Sequence, residues 1–176
     1  MAAQYKANEI ASLFIQLANG LPNNHIDNLK LNKLCYYAQG WHLARYDKPL
    51  FQEDIQAWDY GPVIPEVYRT YKACGGSPIQ EPVEEFDESN LSAEALAVLT
   101  DVYMNYGRFT SAALIDMTHR PGTPWERVYE PQMNHVISTN SMRDYFVSCR
   151  EMTEPEYDFS PEHISTGILS DEDATL

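Results

Sequence analysis

The fold of this chain is decided by residues 31–71, LNKLCYYAQGWHLARYDKPLFQEDIQAWDYGPVIPEVYRTY. In the first half of this stretch, apolar residues recur at steps of three and four, which is the spacing of one helix face. Further aromatic residues extend this apolar surface nearly around the helix, and such helices are usually buried. Gly40 costs a helix about 1 kcal/mol relative to Ala, so we expect a neighbouring backbone to approach it closely. We therefore predict a buried central helix over Asn28–Tyr46.

The second half of the stretch changes from helical to extended character. Asp47-Lys48-Pro49 ends the helix, because proline lacks an amide hydrogen and disfavours helical geometry in the residue before it. The alternation from Ile55 to Tyr60 predicts a short strand, and Gly61-Pro62 predicts a turn. Pro65-Glu66 suits the first turn of another helix, which Gly75-Gly76 closes.

The rest of the chain adds further helices and weak extended segments. The Pro-rich segment around Ile79 allows at most an edge strand beside the Ile55 segment. Val136-Ile137 fits a brief extended segment, and Leu96 is expected on the inward face of its helix. Periodicity and capping residues predict helices over residues 7–18, 92–106, 110–118 and 141–152, and a short one at Thr123-Pro124-Trp125. The fold class is predicted to be mainly α: a compact helical domain around a buried central helix, with a small two-stranded β element.

Two runs of this stretch resemble a known family. The first is LNKL at 31–34 with YYAQGWHL at 36–43, and the second is KPLF at 48–51 with AWDYGPVIPEVY at 57–68. Their order and composition are similar to the signature of the Panacea domain family, which includes SocA-like antitoxins and the phage-associated protein GepA. Residues 102–107, 114–119 and 124–125 continue the similarity, which spans about Glu9 to Tyr129. Cys35 departs from the pattern, because an aliphatic residue is more usual there.

The resemblance implies a function and a set of partners. It implies an antitoxin that neutralises a cognate toxin by direct contact. For SocA-like members it also implies delivery of the toxin to a Clp-type protease. Together with the lack of a catalytic constellation in the sequence, it favours a binding protein that is not an enzyme.

Length and composition are typical of a single globular domain. The chain has 176 residues, of which 44% are apolar, and this is enough for a sizeable core. No run approaches the ~18 apolar residues of a membrane span, and the N-terminus lacks a signal-peptide pattern. The cysteines Cys35, Cys74 and Cys149 are isolated and odd in number, which favours reduced thiols. We therefore expect a cytoplasmic protein without membrane contact.

The chain is strongly acidic, with a net charge of −14. This disfavours direct nucleic-acid binding, because phosphates attract basic surfaces. One interpretation is that the charge serves solubility. The other is that it forms an acidic surface, which either engages a basic partner or imitates nucleic acid. Residues 81–88 hold a dense acidic run, predicted to be a solvated loop. Residues 153–176 carry seven acids and no Lys or Arg. We predict a single Panacea-like helical domain over 1–152 and an acidic, flexible tail over 153–176, whose docking onto a partner or the domain stays open.

The sequence offers little catalytic chemistry. No two histidines have the spacing of a helical metal site, and neither CxxC, GxSxG nor a phosphate-binding glycine loop occurs. Cys35 is interpreted as a structural residue. His42 and His119 are the remaining candidates for acid–base groups, although a histidine at a helix end commonly interacts with the terminal carbonyls. We expect no metal and no cofactor.

Aromatic residues cluster around the Gly61-Pro62 segment, and Tyr, Trp and Arg are enriched in binding hot spots. Either they present a partner surface, or Trp58 and Tyr68 fill the core and leave Tyr60 and Arg69 at the surface. The candidate partner-binding residues are Trp58, Tyr60, Pro62, Glu66 and Arg69.

Three hypotheses about function follow. The first is an antitoxin-like protein-binding domain, which the family resemblance favours. The second is a phage anti-defence protein whose acidic surface blocks a nucleic-acid-binding effector. The third is an enzyme that uses His42 or His119.

Overall fold

The computed structural model describes residues 4–22 and 25–152, so the predicted tail over 153–176 lies outside the described residues. In this part of the chain the helices and strands confirm the predicted fold class. The helices are α1 (Ala7–Asn19), α2 (Asn28–Tyr46), α3 (Pro65–Thr70), α4 (Ala93–Tyr106), α5 (Ser111–Thr118) and α6 (Thr139–Met152). Strands β1 (Gln56–Trp58) and β2 (Gly61–Val63) form an antiparallel hairpin.

Helix α2 is the central element, and every residue from Lys30 to Gly40 is buried. The Asp27 carboxylate caps its start by accepting from the Lys30 amide over 2.8 Å. Asp47 ends it in the left-handed conformation, with φ 52°. Helices α1, α3, α4, α5 and α6 all pack against it.

The close approach at Gly40 comes from a side chain, whereas a neighbouring backbone was predicted. A β-carbon at Gly40 would lie 2.1 Å from the ring of Phe146 on α6. The Phe146 ring therefore occupies the space that any larger residue at position 40 would need. This lets α6 pack close to α2.

The hairpin differs from the prediction in its turn and in its partner strands. Gly61 and Pro62 lie in β2, opposite Trp58 and Ala57, and the turn is formed by residues 59–60. Gly61 has φ 98°, a conformation that residues with a side chain rarely adopt. Gly61 and Pro62 thus belong to a strand that lies close to the residues beneath it, rather than to the turn. A Gly-Pro pair is compatible with either position, so the local sequence could not distinguish the strand from the turn.

The edge strand that the sequence allowed around Ile79 does not form. The Ile79 amide donates instead to the carbonyl of Ile26 over 2.8 Å. The outer edge of β1 instead pairs with the segment predicted to be extended at Val136: Ala57 N–H donates to His135 O over 2.8 Å. Such pairing depends on the tertiary fold, because about eighty residues separate β1 from the segment at Val136.

Two further local predictions were wrong. Residues 124–128 form turns rather than a regular helix. Their backbone hydrogen bonds span either three or four residues: Val128 N–H and Tyr129 N–H both donate to Trp125 O. Trp125 is nevertheless buried. Leu96 is 52% exposed, because a different face of α4 packs against α2. The buried residues of that face include Ala95, Val98 and Leu99.

Candidate functional site

The polar residues of α2 hold the backbone of the hairpin. Asn32 Oδ1 accepts from the Ile64 amide over 3.0 Å, and Lys33 Nζ donates to the Pro62 carbonyl over 3.2 Å. A side chain at Gly61 would meet Lys33 Cε at 2.6 Å, so the missing β-carbon lets β2 lie directly on this lysine. The helix therefore fixes β2 along its inner edge.

Residues further along α2 hold the loop that leads to the hairpin. Gln39 Nε2 donates to Phe51 O over 2.8 Å, while Gln39 Oε1 accepts from the Leu50 amide over 2.7 Å. His42 Nδ1–H donates to Lys48 O over 2.6 Å. The Gln39 contacts satisfy backbone atoms that are buried, and the His42 contact satisfies one that is part-buried, so all three stabilise the loop.

Two lysines of α2 are buried, and Lys33 is the one that lies beneath the hairpin. Burial lowers the pKa of Lys33 to about 7 and that of Lys30 to about 8, although the Asp27 carboxylate opposes both shifts. Lys30 Nζ donates to Gly107 O over 2.6 Å. The Asp27 carboxylate also accepts from the Ser111 hydroxyl over 2.6 Å. These contacts join α2 to α4 and α5, and they serve packing and support rather than exposed chemistry.

The hairpin tip carries the exposed aromatic surface. Tyr60 is 64% exposed, and it occupies the turn. Trp58 is half-buried; its ring packs edge-to-face on Tyr68 with centroids 4.9 Å apart, and its Nε1–H donates to Gln56 Oε1 over 2.9 Å. Beside the tip lies a cavity of about 370 Å³.

A stack of rings supports the tip from behind. His119, Trp125 and Tyr129 stack with centroid distances of 3.8 and 4.2 Å. Trp125 Nε1–H donates to Trp58 O over 2.8 Å, and the Tyr129 hydroxyl donates to Asp59 Oδ1 over 2.9 Å. The backbone and the acidic residue of the turn are thus held in place before any partner binds.

The structure brings together only some of the candidate partner-binding residues. Trp58 and Tyr60 line the cavity. Pro62 is buried, with its carbonyl on Lys33, so it lies beneath the surface. Glu66 and Arg69 are exposed on α3 but do not line the cavity.

Five residues that complete the cavity were not among the sequence candidates. They are Leu29 at the start of α2, Asp59 and Val63 of the hairpin, and the loop residues Gln132 and Asn134. Gln132 and Asn134 have positive φ, 65° and 51°. Asparagine tolerates this conformation, but one asparagine in a polar loop is too weak a signal to locate a site.

The two histidines considered as acid–base groups, His42 and His119, are both engaged in contacts within the fold. Burial lowers the pKa of His42, and its Nδ1–H is used on the Lys48 carbonyl. Burial and the nearby charge of Lys33 lower the pKa of His119, whose ring is stacked on Trp125. Burial raises the pKa of the Cys35 thiol, in agreement with a structural role. Within residues 4–22 and 25–152, no group of three His, Cys, Asp or Glu side chains could hold a metal.

The acidic run lies at the surface, as predicted. Its acids are all exposed, and Phe86 attaches the loop to α1: Gln16 Nε2 donates to Phe86 O over 3.2 Å and Gln16 Oε1 accepts from Phe86 N over 3.1 Å. The acids of the run are Glu81, Glu84, Glu85, Asp87 and Glu88. None of the helices in the described ranges is long and apolar enough to cross a membrane.

Comparisons with known proteins agree with the resemblance read from the sequence. A family model described as "Antitoxin SocA-like, Panacea domain" matches residues 31–126. The protein named Antitoxin SocA from Caulobacter vibrioides (strain NA1000 / CB15N) is 31% identical over 131 residues, which cover 68% of each chain. No solved structure matches the chain.

Proposed function

Because this chain belongs to the SocA-like Panacea domain family, we propose that it is an antitoxin that neutralises a cognate toxin by direct contact and without catalysis. The observation that carries the proposal is the exposed Tyr60 at the tip of a hairpin whose backbone is held on both sides. Exposed aromatic residues on a rigid support are the usual anchors of protein interfaces. The toxin is therefore expected to contact the hairpin tip.

Rigidity and charge both support binding at this surface. The hairpin is held by Lys33, Asn32 and Trp125, so little conformational entropy is lost when a partner docks. The net charge of −14 favours a basic toxin, because complementary charge speeds association and discriminates against acidic partners. The proposal places both proteins in the cytoplasm, without direct nucleic-acid binding by the antitoxin.

The proposal is tested by co-expressing the full chain with the toxic gene encoded beside it. We expect rescue of growth and stoichiometric copurification of the toxin. Tyr60→Ala should reduce the captured toxin at least tenfold while leaving the thermal midpoint unchanged. Met104→Ala is the matched control, because Met104 is 72% exposed on α4 and should have no effect. Equal capture by both variants would refute binding at the hairpin tip.

The proposal extends to the domain organisation and to a protease. We expect residues 1–152 to form the toxin-binding domain, so a chain ending at Met152 should still capture the toxin. If the chain is also a proteolytic adaptor, the toxin's half-life in cells should shorten in its presence, only when a Clp-type protease is intact. Loss of capture on truncation would instead assign recognition to residues 153–176.

A second candidate function rests on the exposed acidic run at 81–88. These acids could block a nucleic-acid-binding effector, as a phage anti-defence protein would. Binding to such an effector should weaken steeply with salt and should fall when Glu84, Glu85 and Glu88 are replaced by glutamine. Binding that is insensitive to both changes would remove this function.

A further inference from the structure

The cavity beside the hairpin tip has walls of distinct chemistry. Trp58, Tyr60 and Tyr68 supply aromatic rings, and Leu29 and Val63 supply aliphatic surface. Its volume of about 370 Å³ lies within the range of about 300–1,000 Å³ typical of ligand pockets. The aromatic rings belong to the hairpin and α3, so the cavity opens beside the exposed Tyr60.

The polar groups of the cavity include one carboxylate and two side-chain amides. Asp59 is the charged residue among those that line it, and the neutral amides of Gln132 and Asn134 can each accept and donate hydrogen bonds. The Tyr129 hydroxyl donates to Asp59 Oδ1, and Asp59 remains exposed. The Trp58 Nε1–H is already used on Gln56, so Trp58 offers its ring rather than its donor. The cavity therefore suits an occupant that is cationic, planar and rich in donors.

An arginine side chain has all three properties. A guanidinium stacks on aromatic faces and donates to a carboxylate in a fixed planar geometry, whereas an ammonium is a compact point charge that prefers water. An aliphatic side chain would cover the Asp59 carboxylate and the two amides without pairing them, which costs free energy. The negative net charge of the chain also favours a cationic occupant.

The part of the cavity formed by Gln132 and Asn134 is fixed by the backbone. Gln132 and Asn134 both have positive φ, a conformation that is uncommon away from glycine and that clusters at binding sites. The next residue, His135, accepts from Ala57 N–H over 2.8 Å, which ties the loop to β1. The amide groups are therefore positioned by the same strand that carries Trp58.

We propose that this cavity binds one arginine side chain of the toxin, stacked between the hairpin aromatics and paired with Asp59. The inference rests on the proposed function for the identity of the partner. The chemistry of the cavity can be tested without the toxin.

The test is a titration of the isotope-labelled full chain with N-acetyl-arginine amide, followed by nuclear magnetic resonance. We expect the indole N–H signal of Trp58 and the side-chain amide signals of Gln132 and Asn134 to shift with saturation. N-acetyl-lysine amide should shift them much less at the same concentration. Asp59→Asn keeps the acceptor for Tyr129 and should weaken the arginine response at least tenfold. Asp54→Asn is the matched control, since Asp54 is exposed but does not line the cavity.

The outcomes separate this inference from the proposed function. Absence of shifts, an equal response to the lysine probe, or an unchanged response of Asp59→Asn overturns the arginine pocket even if the toxin copurifies. A selective arginine response supports it. In the complex, one toxin arginine should be the partner of Asp59. Replacing that arginine by alanine should not weaken the binding of the Asp59→Asn variant any further. If the losses of affinity from Asp59→Asn and from every toxin arginine variant are fully additive, the assignment to the toxin is overturned. Failure to capture any toxin while the arginine response persists counts against the proposed function alone.

Discussion

Lys33 and Pro62 are hydrogen-bonded inside the domain, with Lys33 Nζ donating to the Pro62 carbonyl over 3.2 Å. Lys33 is fully buried, and it belongs to the first of the two runs that resemble the family signature, while Pro62 belongs to the second. The contact shows that the two runs are neighbours in space. Much of the signature therefore specifies the support of the hairpin rather than its exposed tip.

Burial of Lys33 makes stability depend on pH in a defined direction. Its pKa falls from 10.5 to about 7 on folding, so between these values the unfolded chain holds a proton that the folded chain lacks. This bound proton stabilises the unfolded chain, and the stabilisation becomes smaller as the pH rises, so the folded chain becomes relatively more stable. From pH 7 to 8.5 we expect Lys33 to add about 1–2 kcal/mol to the free energy of unfolding.

Chemical denaturation at several pH values measures this effect. The window ends at pH 8.5, because Cys35, whose ordinary pKa is 9.0, acts in the opposite direction above it. Lys33→Met should show a flatter pH dependence than the wild type, while Lys30, whose pKa is lowered in the same direction, contributes to both proteins. Parallel pH curves for the two proteins would contradict the prediction.

Gly40→Ala should destabilise the domain strongly. Its β-carbon would lie 2.1 Å from the Phe146 ring, and overpacking of a core costs about 1–3 kcal/mol. Gly76→Ala is the control, because nothing lies within 4 Å of a β-carbon there, and it should change the free energy of unfolding by less than about 0.5 kcal/mol. Urea unfolding gives both values. Phe146→Leu should lower the free energy of unfolding less in the Gly40→Ala background than in the wild type. Equal decreases would mean that the two residues do not compete for space.

Gln39→Met should also destabilise the domain, although it preserves the size of the side chain. It removes the partners of Leu50 N, Phe51 N and Phe51 O, which are buried, and each unpaired group costs about 1–3 kcal/mol. Because three groups lose their partner, we expect a loss of at least roughly 3 kcal/mol in the free energy of unfolding. The exposed Gln80→Met should be close to neutral in the same denaturation experiment. A near-neutral Gln39→Met would show that the loop finds other partners.

His42→Asn combined with His119→Phe should leave toxin neutralisation intact. Asparagine can still donate to the Lys48 carbonyl, and phenylalanine can still stack on Trp125, so the fold should be preserved. Growth rescue in the co-expression strain is the measurement, with circular dichroism as the check on folding. A folded variant that no longer rescues growth would favour the enzyme hypothesis.

Local sequence patterns were sufficient for most helices. The bounds of α2 follow from the period of its apolar residues, the Asp27 cap and the stop before Pro49, all of which act within a few residues. They were insufficient for the hairpin. Gly61 has a positive φ and lies on Lys33, which the sequence places 28 residues earlier, so its role could not be read from its neighbours.

The sequence by itself determined the family, the helical class and the aromatic character of the segment around Trp58 and Tyr60. Only the tertiary structure decided which of these aromatic residues is exposed, and it placed Gln132 and Asn134 beside them through the pairing of β1 with residues 135–137. The reason is physical: helix periodicity and caps depend on contacts within a few residues, whereas a cavity is made by side chains that only the packed chain brings together.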